Sequence, residues 1–332
     1  MTSCPAVDPA SPLQFVINAS AGSSDAEMMR EVIETALQEG GRRGDLLFAS
    51  PSDLPRVAQE AAARAMAMDT AVVAVGGDGT INTVAQAAHA TGCAMGVVPQ
   101  GTFNYFARAH GIPADPAEAV RMLLGSAPAP VQVAGINDRV FLVNASLGLY
   151  PDLLEDREAY KARFGRSRWV AFWAASTTLL RAQRKLRLHI EEGGSVRDVR
   201  TLTLFVGNNR LQLEQLGLEP LQCAESGLAE GRITGVMLRP VGTLEMIRLM
   251  LHGAMGTLGE AQSVERFEFE RMVVTPTLAR GRRGVKVAFD GEVTTMRAPL
   301  DFRVLARPLY LLMPGRDDTA IAPLCDTERA GR

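Results

Sequence analysis

Cysteine and histidine are sparse in this sequence, four of each in 332 residues. Cys4, Cys93, Cys223 and Cys325 are scattered without a C-x-x-C pair, a spacing that argues against a disulfide framework and a zinc site and fits a reducing compartment. His89, His110, His189 and His252 are dispersed likewise and form no metal-ligand signature. No apolar stretch approaches the roughly 20 residues of a membrane-spanning helix. The longest, WVAFWAASTTLL from Trp169, is too short and carries Ser and Thr. MTSCPAVDPASP at the start has neither the basic residues nor the apolar run of a secretory signal. Charge of one sign is also missing: 35 basic against 37 acidic residues give a net charge of −2. Nothing global therefore attracts nucleic acid, and no nucleic-acid partner is expected. These absences make a cytoplasmic protein the expectation.

What is present is the composition of a globular chain, 47% hydrophobic and 22% charged, long enough for two domains. From Leu13 to about Gly125, short apolar runs alternate with helical patterns. LQFVIN, DLLFA, TAVVAV and AMGVVP read as strands, each followed by an amphipathic or capped helix. That rhythm predicts a doubly wound, Rossmann-like α/β domain over residues 11–128, with ligands beyond the carboxyl ends of its strands. After Ala127-Pro128-Ala129-Pro130 the pattern changes to strands joined by short turns. APVQVAG with RVFLVNASLG, and KLRLHIEE with VRDVRTLTLFVGNN, read as hairpins. RITGVMLRP, RFEFERMVVTP, GVKVAFDGEV and LDFRVLAR continue as strands. Residues 129–312 are expected to form an antiparallel β-sandwich domain, with a polar tail over 313–332.

Three turns (Asn18–Gly22, Gly76–Gly79 and Gln100–Thr102) fall at carboxyl ends of predicted strands. A glycine turn that opens a helix binds anions through bare backbone N–H groups and the helix dipole. GGDGT lacks the G-x-G-x-x-G spacing of a dinucleotide fingerprint, and no G-x-x-x-x-G-K-[ST] is present. Asp78, in the middle of GGDGT, is a negative charge where phosphate should bind.

Gly76-Gly77-Asp78-Gly79-Thr80, Pro99-Gln100-Gly101-Thr102-Phe103-Asn104, the opening Asn18-Ala19-Ser20-Ala21-Gly22 and the late Asp290-Gly291-Glu292 together resemble the diacylglycerol kinase family, and within it the bacterial soluble lipid kinases. The resemblance runs from Phe15 to Leu312 with the four motifs in the family's order. It implies a nucleotide-binding α/β domain and a β-sandwich domain with the active site between them, and transfer of the γ-phosphoryl group of ATP to a lipid alcohol such as diacylglycerol with Mg²⁺ as cofactor. The nucleotide contacts it implies are Asn18, Ala19, Ser20, Ala21, Gly22, Gly76, Gly77, Asp78, Gly79, Thr80, Ile81, Asn82, Gly101, Thr102 and Asn104. Glu292 matches the proton acceptor, with Asp290 and Asp78 as further catalytic carboxylates.

Period-two alternation puts Asp290 and Glu292 on one face if D-x-E lies on a single strand, where two carboxylates can hold Mg²⁺ and accept a proton. The chain departs from the family pattern at three places. N-A-S-A-G replaces N-P-x-S-G, Tyr105 stands where an Asp is usual, and Glu230 stands at the Asp of a second, structural Mg²⁺ site. Asp290 and Glu230 are thus the expected metal ligands.

The basic and aromatic stretch from Tyr160 to Leu188, with Trp169, Phe172 and Trp173 on one helical stripe, is a candidate for peripheral contact with an anionic membrane. An amphipathic helix covering the sandwich is the plainer account. Two other readings are an NAD kinase-like phosphotransferase, which shares GGDGT, and a nucleotide-binding regulator that has lost catalysis. The oligomeric state is not legible; a homodimer is one candidate.

Overall fold

The computed structural model describes residues 4–19, 23–148, 151, 186–208, 231–240, 242, 263–277 and 284–314. The first part follows the alternating rhythm: β1 (Leu13–Asn18), α1 (Ser23–Glu39), β2 (Gly44–Ala49), α2 (Leu54–Ala67), β3 (Ala71–Gly76), α3 (Asp78–Thr91), β4 (Ala94–Pro99), α4 (Tyr105–Ala109) and α5 (Pro116–Leu124). AVVAVG and AMGVVP are buried at every position, as strands covered on both faces must be. Two helix ends show the local chemistry that sets them. Asp115 caps α5 by accepting from the Glu118 N–H at 2.9 Å, with Pro116 in the first turn. Gly92, at φ 86°, ends α3 in the left-handed conformation that glycine tolerates best.

The sheet order is β2-β1-β3-β4-β18-β5, where β5 is Ser126–Val131 and β18 is Leu309–Pro314. β18 runs parallel to β4, and β5 runs antiparallel to β18. This corrects the expected domain boundaries: residues 126–131 and 309–314 belong to the α/β sheet, so the sandwich is inserted between two neighbouring strands of it. The physical reason is that LYLLMP can bury on both faces only inside a covered sheet, and β4 offers it an open edge.

The inserted part forms two antiparallel sheets. One has the order β10-β9-β14-β17-β6-β7, the other β13-β12-β11-β8-β15-β16. Their strands are β6 (Ala134–Ile136), β7 (Arg139–Phe141), β8 (Asn144–Gly148), β9 (Leu186–Glu192), β10 (Ser195–Thr201), β11 (Thr203–Gly207), β12 (Ile233–Leu238), β13 (Val264–Phe269), β14 (Arg271–Pro276), β15 (Val285–Phe289), β16 (Glu292–Met296) and β17 (Leu300–Val304). Phe141, Leu188, Met272 and Phe302 from the first sheet share one core with Leu147, Leu204, Ile233 and Val287 from the second. Face-to-face packing of inward side chains is what makes this a sandwich.

Two expected hairpins are divided between the sheets. RVFLVNASLG breaks at Leu142–Val143 into β7 and β8, and the run from VRDVRT into LTLFVG breaks at Leu202 into β10 and β11. Crossing between sheets leaves backbone amides without ladder partners, and at Leu142–Asn144 this shapes the site described next. The membrane-contact stretch lies outside the described residues, apart from Leu186–Leu188, which begin β9. No helix among the described residues is long and apolar enough to cross a membrane.

Candidate active site

The turn after β3 is built to bring bare backbone to one point. A Cβ on Gly76 would lie 2.6 Å from the Thr80 hydroxyl, which in turn accepts from Asn18 Nδ2 at 3.0 Å. Gly77 is the N-cap of α3, so the N–H groups of the first helical turn point outward without intrahelical partners. The turn after β4 packs against it. A Cβ on Gly101 would stand 3.0 Å from Gly77 Cα and 2.6 Å from Asn104 Oδ1. Gly101 N–H donates to Asn104 Oδ1, and Asn104 Nδ2 donates back to the Gly101 carbonyl, both at 2.8 Å. Gly101→Ala must therefore push a backbone aside. It is expected to lower turnover and to cost about 1–3 kcal/mol of stability, read from the denaturation midpoint.

Asp78 resolves its apparent conflict with phosphate in this packing. Its Oδ2 accepts the Asn104 N–H at 3.1 Å, and the Tyr105 and Phe106 amides also favour its charge. Burial outweighs those amides and holds its pKa above the ordinary Asp value. The carboxylate thus serves the N-terminus of α4, while Oδ1 is buried without a hydrogen-bond partner. The catalytic role expected of this carboxylate narrows to that single free oxygen.

The Asp290-Gly291-Glu292 segment is not one strand, which corrects the expectation that its carboxylates share a face. Asp290 and Gly291 form the two-residue turn of the β15–β16 hairpin, with φ 44° and 87°, and Phe289 pairs with Glu292 across it. Positive φ at both positions is the type I′ pattern for which Asp-Gly is suited.

The Asp290 side chain turns inward rather than to solvent. Oδ1 accepts the N–H groups of Val143 at 2.9 Å and Asn144 at 3.0 Å, and Oδ2 accepts Leu142 N–H at 2.7 Å and Asn82 Nδ2 at 2.6 Å. Burial raises its pKa to about 6, against the pull of those four donors. A carboxylate has about four acceptor sites, and here all are occupied. This arrangement speaks against the expected metal ligation by Asp290, because the amides orphaned at the sheet crossing fill the positions a cation would need.

Asn82 carries the joint into the α/β domain. Its Nδ2 also donates to the Val140 carbonyl at 3.0 Å, and Val140 N–H donates to Gln86 Oε1 at 3.0 Å. Asn82 and Gln86 belong to α3, the helix whose first turn is the phosphate turn. With Asp290 so held, Glu292 comes to rest over Gly79, where an added Cβ would lie 3.1 Å from Glu292 Oε1. Glu292 is exposed as a residue, yet partial burial of its carboxylate raises its pKa above the ordinary Glu value, and Arg139 nearby offsets part of that.

The structure therefore brings together Gly76, Gly77, Asp78, Gly79, Thr80, Gly101, Asn104 and Glu292, with Asn18 bracing Thr80. Ile81 is fully buried in the core and the Asn82 side chain faces the sandwich, so only the backbone of these two residues borders the turn. Thr102 and Ala19 are exposed at the rim. Ser20, Ala21, Gly22 and Glu230 lie outside the described residues. Among the described residues, no group of three or more His, Cys, Asp or Glu side chains is placed to hold a metal. Sequence reasoning missed Gln86, Arg139 and Val140. Only the Asn at the helix register of Asn82 hinted at a buried polar joint.

Comparison with known proteins points to one family. The diacylglycerol kinase catalytic domain matches residues 12–136. A protein of Bacillus subtilis named diacylglycerol kinase is 27% identical over 295 residues, covering 86% of this chain and 90% of that one. A Pseudomonas aeruginosa protein named "Probable lipid kinase YegS-like" is 31% identical over 249 residues, covering 72% of this chain and 74% of that one. Among solved structures, a diacylglycerol kinase from Bacillus anthracis superposes with a TM-score of 0.63 at 18% identity, covering 91% of this chain and 96% of that one.

Proposed function

The chain belongs to the diacylglycerol kinase family of bacterial lipid kinases, and from that premise we propose that it transfers the γ-phosphoryl group of ATP to the hydroxyl of a lipid alcohol such as diacylglycerol. The observation that carries the reading is Glu292 over Gly79: a carboxylate from the sandwich set against the phosphate-binding first turn of α3. In this reading the N–H groups of Gly77 to Thr80 hold the phosphates, aided by the helix dipole. Glu292 takes the proton from the acceptor hydroxyl as its oxygen bonds to the γ-phosphorus and the bond to the ADP oxygen breaks.

Asp78, whose buried Oδ1 has an unfilled acceptor position, is the residue that would hold Mg²⁺, and the ion would supply charge neutralisation for the phosphates. Arg139 opposes part of the upward shift that burial gives the Glu292 carboxyl, which favours its ionised form. Because the acceptor resides in bilayers, the reading includes a cytoplasmic protein in peripheral contact with an anionic membrane surface.

The test supplies purified protein with γ-labelled ATP, Mg²⁺ and a total lipid extract, with NAD offered in parallel. Label in the organic phase is the expected result. Label in NAD and none in lipid would sink the reading.

A further inference from the structure

The strand order β2-β1-β3-β4 reverses direction between β1 and β3, and doubly wound sheets bind their ligands at such a reversal. A nucleotide anchored on the Gly76–Thr80 turn accordingly extends towards the β1 and β2 side. The turn after β4 borders the opposite flank of the same anchor, since a Cβ on Gly77 would lie 3.4 Å from Gly101 Cα. That flank is the side left for a phosphoryl acceptor.

What the turn presents there is aromatic. Phe103 is 41% exposed, and it carries the only exposed aromatic ring among the described residues. Its ring stacks on Tyr105 with centroids 5.6 Å apart and planes 3° from parallel. Asn104, between the two, is locked in both directions to Gly101 and donates its N–H to Asp78. The stack is thus fixed in place on the phosphate-binding backbone. A water-soluble polyol is held through hydrogen bonds to its hydroxyls, which ring faces do not supply; an acyl chain needs only apolar area.

We propose that the Phe103–Tyr105 stack is the acceptor-side specificity determinant, an apolar wall that receives the hydrocarbon next to the reacting hydroxyl. It favours acylated glycerols over free polyols. The inference rests on the lipid kinase reading and adds to it which residues select the acceptor.

Steady-state turnover of the full chain on dioctanoylglycerol in mixed micelles, with ATP varied in parallel and glycerol as a second acceptor, tests it. Phe103→Ser is expected to raise the KM for dioctanoylglycerol about tenfold or more. The KM for ATP and the slow rate on glycerol should stay near their wild-type values. Phe103→Leu, which keeps apolar bulk, should retain most of the preference for dioctanoylglycerol.

An unchanged lipid KM in Phe103→Ser overturns the inference, as does a matching rise in the KM for ATP, which would place the ring on the nucleotide. If Phe103→Ser melts early, Phe103→Gln at the same exposed position decides: a raised KM for dioctanoylglycerol with an unchanged KM for ATP supports the inference, and an unchanged lipid KM overturns it. A wild-type protein that labels no lipid overturns the kinase reading and this inference together. An active wild type with indifferent variants overturns only the wall.

Discussion

Glu292→Gln is expected to lower turnover by about 10²–10⁴-fold while ATP still binds. Glutamine keeps the size and one acceptor oxygen of the side chain but cannot take a proton at neutral pH. The carboxylate reaches Gly79 from the sandwich, so the backbone N–H groups proposed to hold phosphate are untouched by the change. Titration calorimetry with a non-hydrolysable ATP analogue measures the binding half, and initial rates with labelled ATP measure the other.

The pH dependence follows from the same geometry. Burial lifts the Glu292 pKa and Arg139 pulls it part of the way back, leaving it above the ordinary Glu value of about 4.3. A base works deprotonated, so turnover should rise with pH along a limb centred above that value. Arg139→Ala removes the opposing charge and should move the limb to still higher pH. Wild-type turnover in Glu292→Gln, or an unmoved limb in Arg139→Ala, would show that another group takes the proton.

Asp290→Ala has the larger expected effect on stability, a loss of about 3–5 kcal/mol. The substitution leaves the Leu142, Val143 and Asn144 amides and the Asn82 side chain facing a buried site with no acceptor. Asp290→Asn should recover little, since its NH₂ group meets two donors where one carboxylate oxygen stood. Denaturant unfolding in the presence of a chelator separates this role from metal binding. A joint between domains predicts the full loss without Mg²⁺. A metal ligand predicts unchanged stability there and a raised Mg²⁺ requirement for turnover. Turnover should fall as well, because Glu292 owes its position to the turn that Asp290 holds.

The contrast between these two acids shows how far the sequence could be read. The four βα repeats of the first domain were legible because strand and helix periodicity are local properties, and TAVVAVGGDGT announces its strand, turn and helix within a dozen residues. The strand nature of LYLLMP was equally plain, yet its sheet was not, since an apolar run does not say which edge it will join.

Asp290 marks the sharper limit. The motif D-G-E reads as two carboxylates, and only the Asp-Gly turn preference hints that the first is taken out of line with the second. Its true partners are set by where the chain crosses between sheets, and Asn82 lies 208 positions away. Asp78 is similar in kind: its charge is answered by amides 26 residues and more along the chain, brought near by two adjacent strands.

The placement of β18 between β4 and β5 also bears on the order in which the molecule can be made. A ribosome delivers β1 to β4 early, but the strand that covers the edge of β4 comes only after the whole sandwich has emerged. Until then β4 offers an open, apolar edge, and β5 has no neighbour on which to pair. The α/β half is therefore completed last, although it is started first, and its closing contacts are among the most distant in the chain. Such long-range pairing slows folding and lengthens the exposure of an adhesive edge. A sandwich that folds promptly brings the two loose strands together, so the inserted domain acts as a template for finishing the domain that surrounds it.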